Sequence, residues 1–347
     1  MLSRSERTPL GAASSRRDVL RALAAAASTL TMGGSLGGCA SALLAQSPRY
    51  DAAELSTNPT LLVATTRKAV NGARARPWYG SERAKLSVGR ARMTPPSEGR
   101  FSLGSVGLSD WQLEGIELAP QIGDTFGPPG APRDVLAYVH GFNTSFEAAV
   151  LDAARMADGI RFRGETLAFS WPSRAKLSEY SYDRESAMWS RDALEQVFAG
   201  LMASPTTGRI HLVAHSIGTM LAMESLRQIY ARQGAAAADR IGAVVFASPD
   251  IDLDGFTSSV ERIGPLAAKI VVVTATNDRA LAMSGFLAGG TTRVGAAEKA
   301  ELTRLGLHVI DASQQGWGII NHDLFLSNDK VRQVIRRAID GRPTDGA

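Results

Sequence analysis

One cysteine, Cys39, occurs in 347 residues, so no intrachain disulfide can form and the fold must hold by packing alone. Histidine is scarce, with five in the chain, and none of them joins cysteine or carboxylates at a spacing that would hold zinc. No Gly-rich phosphate loop of the Walker type and no dinucleotide fingerprint is present. These absences leave no cofactor and no metal to be expected. There is also little excess charge, +4 overall. Arg4, Arg7, Arg16, Arg17 and Arg21 outweigh Glu6 and Asp18 near the start, and the chain from Cys39 onward carries almost none of the excess. A nucleic-acid partner is therefore not expected.

What is present divides into a leader and a globular part. Ser15-Arg16-Arg17-Asp18-Val19-Leu20 resembles a twin-arginine export signal, followed by an uncharged, alanine-rich stretch too short and too weakly apolar for a comfortable membrane span. Leu36-Gly37-Gly38-Cys39 resembles a bacterial lipobox, which implies lipidation of Cys39, with Ala40 and Ser41 after it favouring the outer membrane; the alternative is a free cysteine inside a discarded leader. Residues 1–39 read as the signal, 40–58 as a tether and 59–340 as one domain in the periplasm or envelope.

In the globular part, short apolar runs alternate with stretches of helical period. Strands are expected at 61–66, 86–92, 111–118, 135–139, 166–169, 210–214, 241–247, 270–275 and 307–310, with the rest of 67–104 as loop. Helices are expected at 146–157, 184–202, 218–232, 253–263, 280–287, 296–305 and 323–339. Such alternation predicts an α/β fold, a mostly parallel central sheet with helices on both faces.

The chemistry centres on Ala214-His215-Ser216-Ile217-Gly218, between a strand and a helix. A sharp turn there lifts a serine hydroxyl out of the sheet and aims a helix N-terminus at it, but an ordinary N-capping serine would occupy the same place. Ala214 stands where the common motif has glycine. A serine nucleophile needs a histidine base oriented by a carboxylate, both later in the chain. His322 follows the last strand and fits. The acid is Asp278, after 270–275, or alternatively Asp250, after 241–247, which like Asp252 has a capping role open to it. Backbone N–H groups of Ile217 and of Phe142, in His140-Gly141-Phe142-Asn143, would form the oxyanion hole.

Together with Ala64-Thr65-Thr66-Arg67, Phe169-Ser170-Trp171-Pro172-Ser173 and Asn277-Asp278-Arg279, these motifs resemble a bacterial α/β-hydrolase family long catalogued as a domain of unknown function, whose members are described as esterases or lipases. The resemblance spans about Thr57 to Lys330 and implies the α/β-hydrolase fold with Ser216, Asp278 and His322 at the triad positions.

The expected activity is hydrolysis of small-molecule or lipid esters through an acyl-enzyme. The alternatives are amide cleavage or acyl transfer on the same triad, or a non-catalytic envelope lipoprotein using the fold as a scaffold. Around the site, Trp171 is expected to line the pocket or close the sheet, Asp183 to cap a helix, and Arg67 to form an ion pair. Met283, Phe286 and Leu287 form either a lid or a core face.

Overall fold

The computed structural model describes residues 60–70, 72, 74, 76–96, 111–125, 131–287, 290–313, 326 and 328–342. Cys39 and His322 lie outside the described residues. Nine strands form one sheet: β1 Thr60–Ala69, β2 Tyr79–Thr94, β3 Gln112–Ala119, β4 Arg133–Val139, β5 Glu165–Ser170, β6 Thr207–His215, β7 Ile241–Ala247, β8 Ile270–Thr274 and β9 His308–Asp311. Their order is β3-β2-β1-β5-β4-β6-β7-β8-β9. The pairs β1–β2 and β2–β3 are antiparallel and all others parallel. The helices are α1 Phe146–Gly159, α2 Tyr180–Trp189, α3 Arg191–Ala203, α4 Ile217–Gln233, α5 Ala235–Arg240, α6 Leu253–Val260, α7 Arg279–Leu287, α8 Lys299–Thr303 and α9 Asp329–Ile339.

The central strands carry long apolar runs because both their faces are covered. Their period of two divides them between two cores. Val135, Ala137 and Val139 of β4 join Leu212 and Ala214 of β6 under Leu194 and Phe198 of α3 and Leu221 and Leu226 of α4. Leu136, Tyr138 and Val213 face the other way, against Phe146 and Val150 of α1 and Val331 and Ile335 of α9. Each large apolar side chain fully buried in these layers contributes about 1.5–3 kcal/mol.

This division places the site. The chain leaves β4 for one face through α1 and leaves β6 for the other through α4. β4 and β6 are sheet neighbours, with Val139 opposite Ala214. Two adjacent parallel strands whose connections part to opposite faces leave a crevice at their C-terminal ends, where open α/β sheets bind ligands.

Two expected elements differ from the structure. The stretch read as loop around a short strand holds the 16-residue β2. Its many arginines and lysines hide it, because β2 buries Val88, Ala91 and Met93 while its basic side chains reach outward. The helix expected over 184–202 is two, α2 and α3, parted at Ser190. The Ser190 hydroxyl donates to Ser186 O (2.8 Å) and lies 2.8 Å from Thr66 Oγ1, which ties the break to β1.

Candidate active site

Ser216 joins β6 to α4 with φ +51° and ψ −124°, a conformation that costs a non-glycine residue of order 1–3 kcal/mol. Its side chain makes no capping hydrogen bond, and its backbone is not in the extended region an N-cap adopts, so the capping alternative does not describe it. The strain is held from the backbone. Ser216 N–H donates to Ala247 O (3.0 Å), and Ser216 O accepts from Thr219 N–H (3.0 Å), Thr219 Oγ1 (2.6 Å) and Asp250 N–H (3.2 Å).

Two glycines let the neighbouring backbone close on the serine. A Cβ at Gly218 would lie 2.3 Å from His140 O, so only glycine lets the first turn of α4 sit on the end of β4. A Cβ at Gly141 would lie 3.0 Å from Ser216 Cβ and 2.7 Å from His215 Nδ1. The loop 140–143 thus passes directly over the serine. Ile217 opens α4, and first-turn N–H groups have no acceptor within their own helix. The structure brings Ser216, Ile217 and the Gly141–Phe142 segment together at one crevice.

A sequence model of a family described as "Alpha/beta hydrolase of unknown function (DUF900)" matches residues 130–338, more than half of the chain and all of this crevice. The chain belongs to that family. An uncharacterized protein of Nostoc sp. is 24% identical to this α/β-hydrolase over 124 aligned residues, covering 28% of this chain and 32% of its own. The chain therefore spans about a third of the length of the curated relative it matches. Among solved structures, carboxylesterase CesB of Bacillus subtilis aligns at 13% identity over 62% of this chain and 86% of its own, with a TM-score of 0.36. Esterase 2 of Thermogutta terrifontis aligns at 10% identity over 76% and 91%, with a TM-score of 0.38. Superpositions this loose decide nothing about substrate.

Around the serine, this α/β-hydrolase is braced by buried polar groups, of which Arg67 and Asp183 act otherwise than the sequence leads one to expect. His140 is fully buried and stacks on Trp171, with ring centroids 4.5 Å apart and planes 17° off parallel. The indole N–H donates to His140 O (2.9 Å), while the His140 ring meets Gly141 O through Nδ1 (2.8 Å) and Trp171 O through Nε2 (3.1 Å). Trp171 is therefore a packed aromatic closing the sheet end. Burial, and next the Arg67 charge, lower the His140 pKa well below its ordinary value.

Arg67 is a buried hub rather than half of an ion pair. A register shift between Thr65 and Arg67 against β2 accompanies an unbroken buried run from Leu61 to Arg67. Arg67 donates to Ser170 Oγ (2.8 Å), Gly80 O (3.2 Å), Ser173 O (2.9 Å) and Thr144 O (2.7 Å). No salt bridge to it occurs among the described residues. Burial lowers its pKa to about 9, opposed mainly by Asp183. Asp183 lies inside α2, not at its cap. It accepts from Ser173 Oγ (2.5 Å), Arg174 N–H (2.8 Å) and Asn143 N–H (3.3 Å), which pins the loop carrying Phe142. Burial raises the Asp183 pKa. The Arg67 contacts to Ser170 and Ser173 span 103 and 106 residues of chain and leave no local trace for sequence reading to find.

The two acid candidates have different surroundings. Asp278, 1% exposed, follows β8, and its Oδ1 accepts from Ala280 N–H (2.9 Å) and Leu281 N–H (3.2 Å) at the start of α7. The same loop is tied to the end of β9 by Thr276 N–H to Ser313 Oγ (2.9 Å) and Asn277 Nδ2 to Ser313 O (3.0 Å). Asp250 has both carboxylate oxygens engaged by protein: Oδ2 by Tyr180 Oη (2.7 Å), and Oδ1 by Ser284 Oγ (2.5 Å) and the Arg293 guanidinium (3.2 Å). Asp252 caps α6 by accepting from Gly255 N–H (3.0 Å). The other histidines lie off the crevice or beside it. His211 accepts from Ala243 N–H on β7 (3.0 Å), His308 is exposed on β9, and the buried His215 ring faces Gly141. Among the described residues, Met283 of α7 is 43% exposed and joins neither core, and the Phe286 and Leu287 side chains lie outside the described residues.

Proposed function

We infer that this chain is a serine hydrolase of carboxylic esters. The observation that carries the reading is Ser216 itself: a non-glycine residue held at φ +51° between β6 and α4, with no capping role, under the Gly141–Phe142 backbone. Strain of this kind persists where surrounding structure enforces it, and it clusters at reactive groups.

Ser216 Oγ attacks the ester carbonyl carbon while His322 takes its proton. The carbonyl oxygen becomes an oxyanion held by the Phe142 and Ile217 N–H groups, at the positive end of α4. Collapse expels the alcohol, which takes the proton from His322, and leaves an acyl-serine. Water, deprotonated by His322, then releases the acid and restores the serine. Asp278 orients the imidazole and balances its charge when protonated. Asp278 is preferred over Asp250 because it follows β8, the later of the two strands, as the acid of this fold does, while the Asp250 carboxylate holds Tyr180, Ser284 and Arg293 together. Esters are preferred over amides because an alkoxide leaves without the full protonation an amine requires.

The test compares wild type with Ser216→Ala on short-chain p-nitrophenyl esters and on a fluorophosphonate probe. Wild type should turn over the esters and be labelled, and the variant should do neither. Labelling that survives in Ser216→Ala would refute the reading, as would a wild type inert to both.

A further inference from the structure

The Asp250 carboxylate sits at the centre of a closed polar cluster. This carboxylate and the Arg293 side chain are 3% and 2% exposed, so an ion pair is enclosed in protein with two hydroxyls. Tyr180 Oη donates to Asp250 Oδ2 and lies 2.6 Å from Ser284 Oγ, which itself donates to Asp250 Oδ1. One carboxylate thus gathers α2 through Tyr180, α7 through Ser284, and the segment before α8 through Arg293.

Two further contacts lead from this cluster to the reactive serine by different routes. Asp250 N–H donates to Ser216 O (3.2 Å), one of the three donors that hold the strained turn. The Tyr180 ring stands edge-on to the Phe142 ring, with centroids 5.5 Å apart and planes at 71°. The backbone of Asp250 therefore reaches one half of the inferred oxyanion hole, at Ser216–Ile217. Its side chain reaches the other half, at Phe142, through Tyr180.

We propose that Asp250 is a positioning residue, whose carboxylate, clamped by Tyr180, Ser284 and Arg293, sets the spacing between the Ile217 and Phe142 N–H groups. This rests on the serine-hydrolase reading and deepens it. The two donors come from separate segments, after β6 and after β4, and catalysis is sensitive to misplacement of about 1 Å, which can cost on the order of 100-fold.

The experiment measures kcat and KM on a p-nitrophenyl ester for wild type, Asp250→Asn, Tyr180→Phe and Asp278→Asn. Each rate is normalised to the sites titrated by fluorophosphonate, so that a loss of folded protein alone would not lower it. Tyr180→Phe keeps the ring on Phe142 and removes only the hydroxyl. Positioning predicts that kcat per titrated site falls roughly 10- to 100-fold in Asp250→Asn and several-fold in Tyr180→Phe, with KM within about threefold of wild type. The shape of the pH–rate profile should be unchanged. A triad acid predicts instead a loss of about 10,000-fold in Asp250→Asn. That outcome, with Asp278→Asn mild, would overturn the proposal and keep the serine reading. Rates within twofold of wild type in both Asp250→Asn and Tyr180→Phe would also overturn it. Should Asp250→Asn not fold, Tyr180→Phe decides. A wild type that is never labelled would sink the serine reading itself, and the positioning role with it.

Discussion

Gly218→Ala is the smallest change that tests how the site is built. The added methyl carbon would lie 2.3 Å from His140 O, 3.0 Å from Val139 O and 3.1 Å from Val139 Cγ1. Ordinary van der Waals contact begins near 3.4 Å, so the overlap with His140 O is about 1 Å. The obstacle is backbone at the end of a central strand and cannot swing aside. The first turn of α4 must move off β4 by a comparable distance. Alanine gains about 1 kcal/mol of helix propensity over glycine, while overpacking costs roughly 1–3 kcal/mol, so the net destabilisation should be modest, about 0–2 kcal/mol. The effect on rate should be much larger, because the shift carries Ile217 and Ser216 away from Phe142, and about 1 Å of misplacement can cost on the order of 100-fold. The check is a thermal melt beside kcat/KM on a p-nitrophenyl ester, normalised to titrated sites. A melt within a few degrees of wild type with a rate down 30- to 300-fold is expected. A rate within threefold of wild type would refute the argument that close approach of α4 to β4 builds the site.

Two other outcomes are expected. Arg67→Lys keeps the charge but loses the fork that reaches Ser170, Gly80, Ser173 and Thr144, leaving several buried acceptors short of a donor. A loss of about 3 kcal/mol should follow at roughly 1–3 kcal/mol per orphaned group, read as a melting point several degrees lower; an unchanged melt would show that these contacts contribute nothing. Burial lowers the His140 pKa, so its folded value lies below its unfolded one. Its stabilising effect is then fully present above about pH 6.5 and is lost as pH falls, at up to about 1.4 kcal/mol per pH unit. His211, lowered by burial in the same sense, adds to the slope. Denaturant unfolding between pH 7 and 5.5 should show stability falling in wild type and a shallower slope in His140→Gln; equal slopes would contradict the assignment.

The sequence shows most of the scaffold because a parallel sheet covered on both faces needs runs such as Val135–Val139 and Ile241–Ala247, which stand out from their surroundings. It shows Ser216 and Gly218 because strand, turn and helix are contiguous. It hides β2, whose basic residues read as loop, and the break at Ser190, which a hydroxyl on β1 sets from 124 residues away. The bracing is hidden as well. Arg67, Asp183 and the Asp250 cluster act through partners 9 to 106 residues distant, and no period marks these contacts. Asp250 and Asp278 look alike in sequence because each follows a strand; what separates them is which groups already occupy the carboxylate.

The strain at Ser216 lies in φ and ψ, not in the hydroxyl. Glycine would adopt the same angles at little cost, and no hydrogen bond to the Ser216 side chain contributes to helix capping. The fold is therefore working against the residue at this position, and thermodynamic drift alone would replace it by glycine. Under the serine-hydrolase reading proposed for this chain, serine stands here because the reaction needs its hydroxyl. A descendant that kept the scaffold but abandoned the chemistry would gain stability by giving up this one side chain, so position 216 reports whether the crevice is still in service.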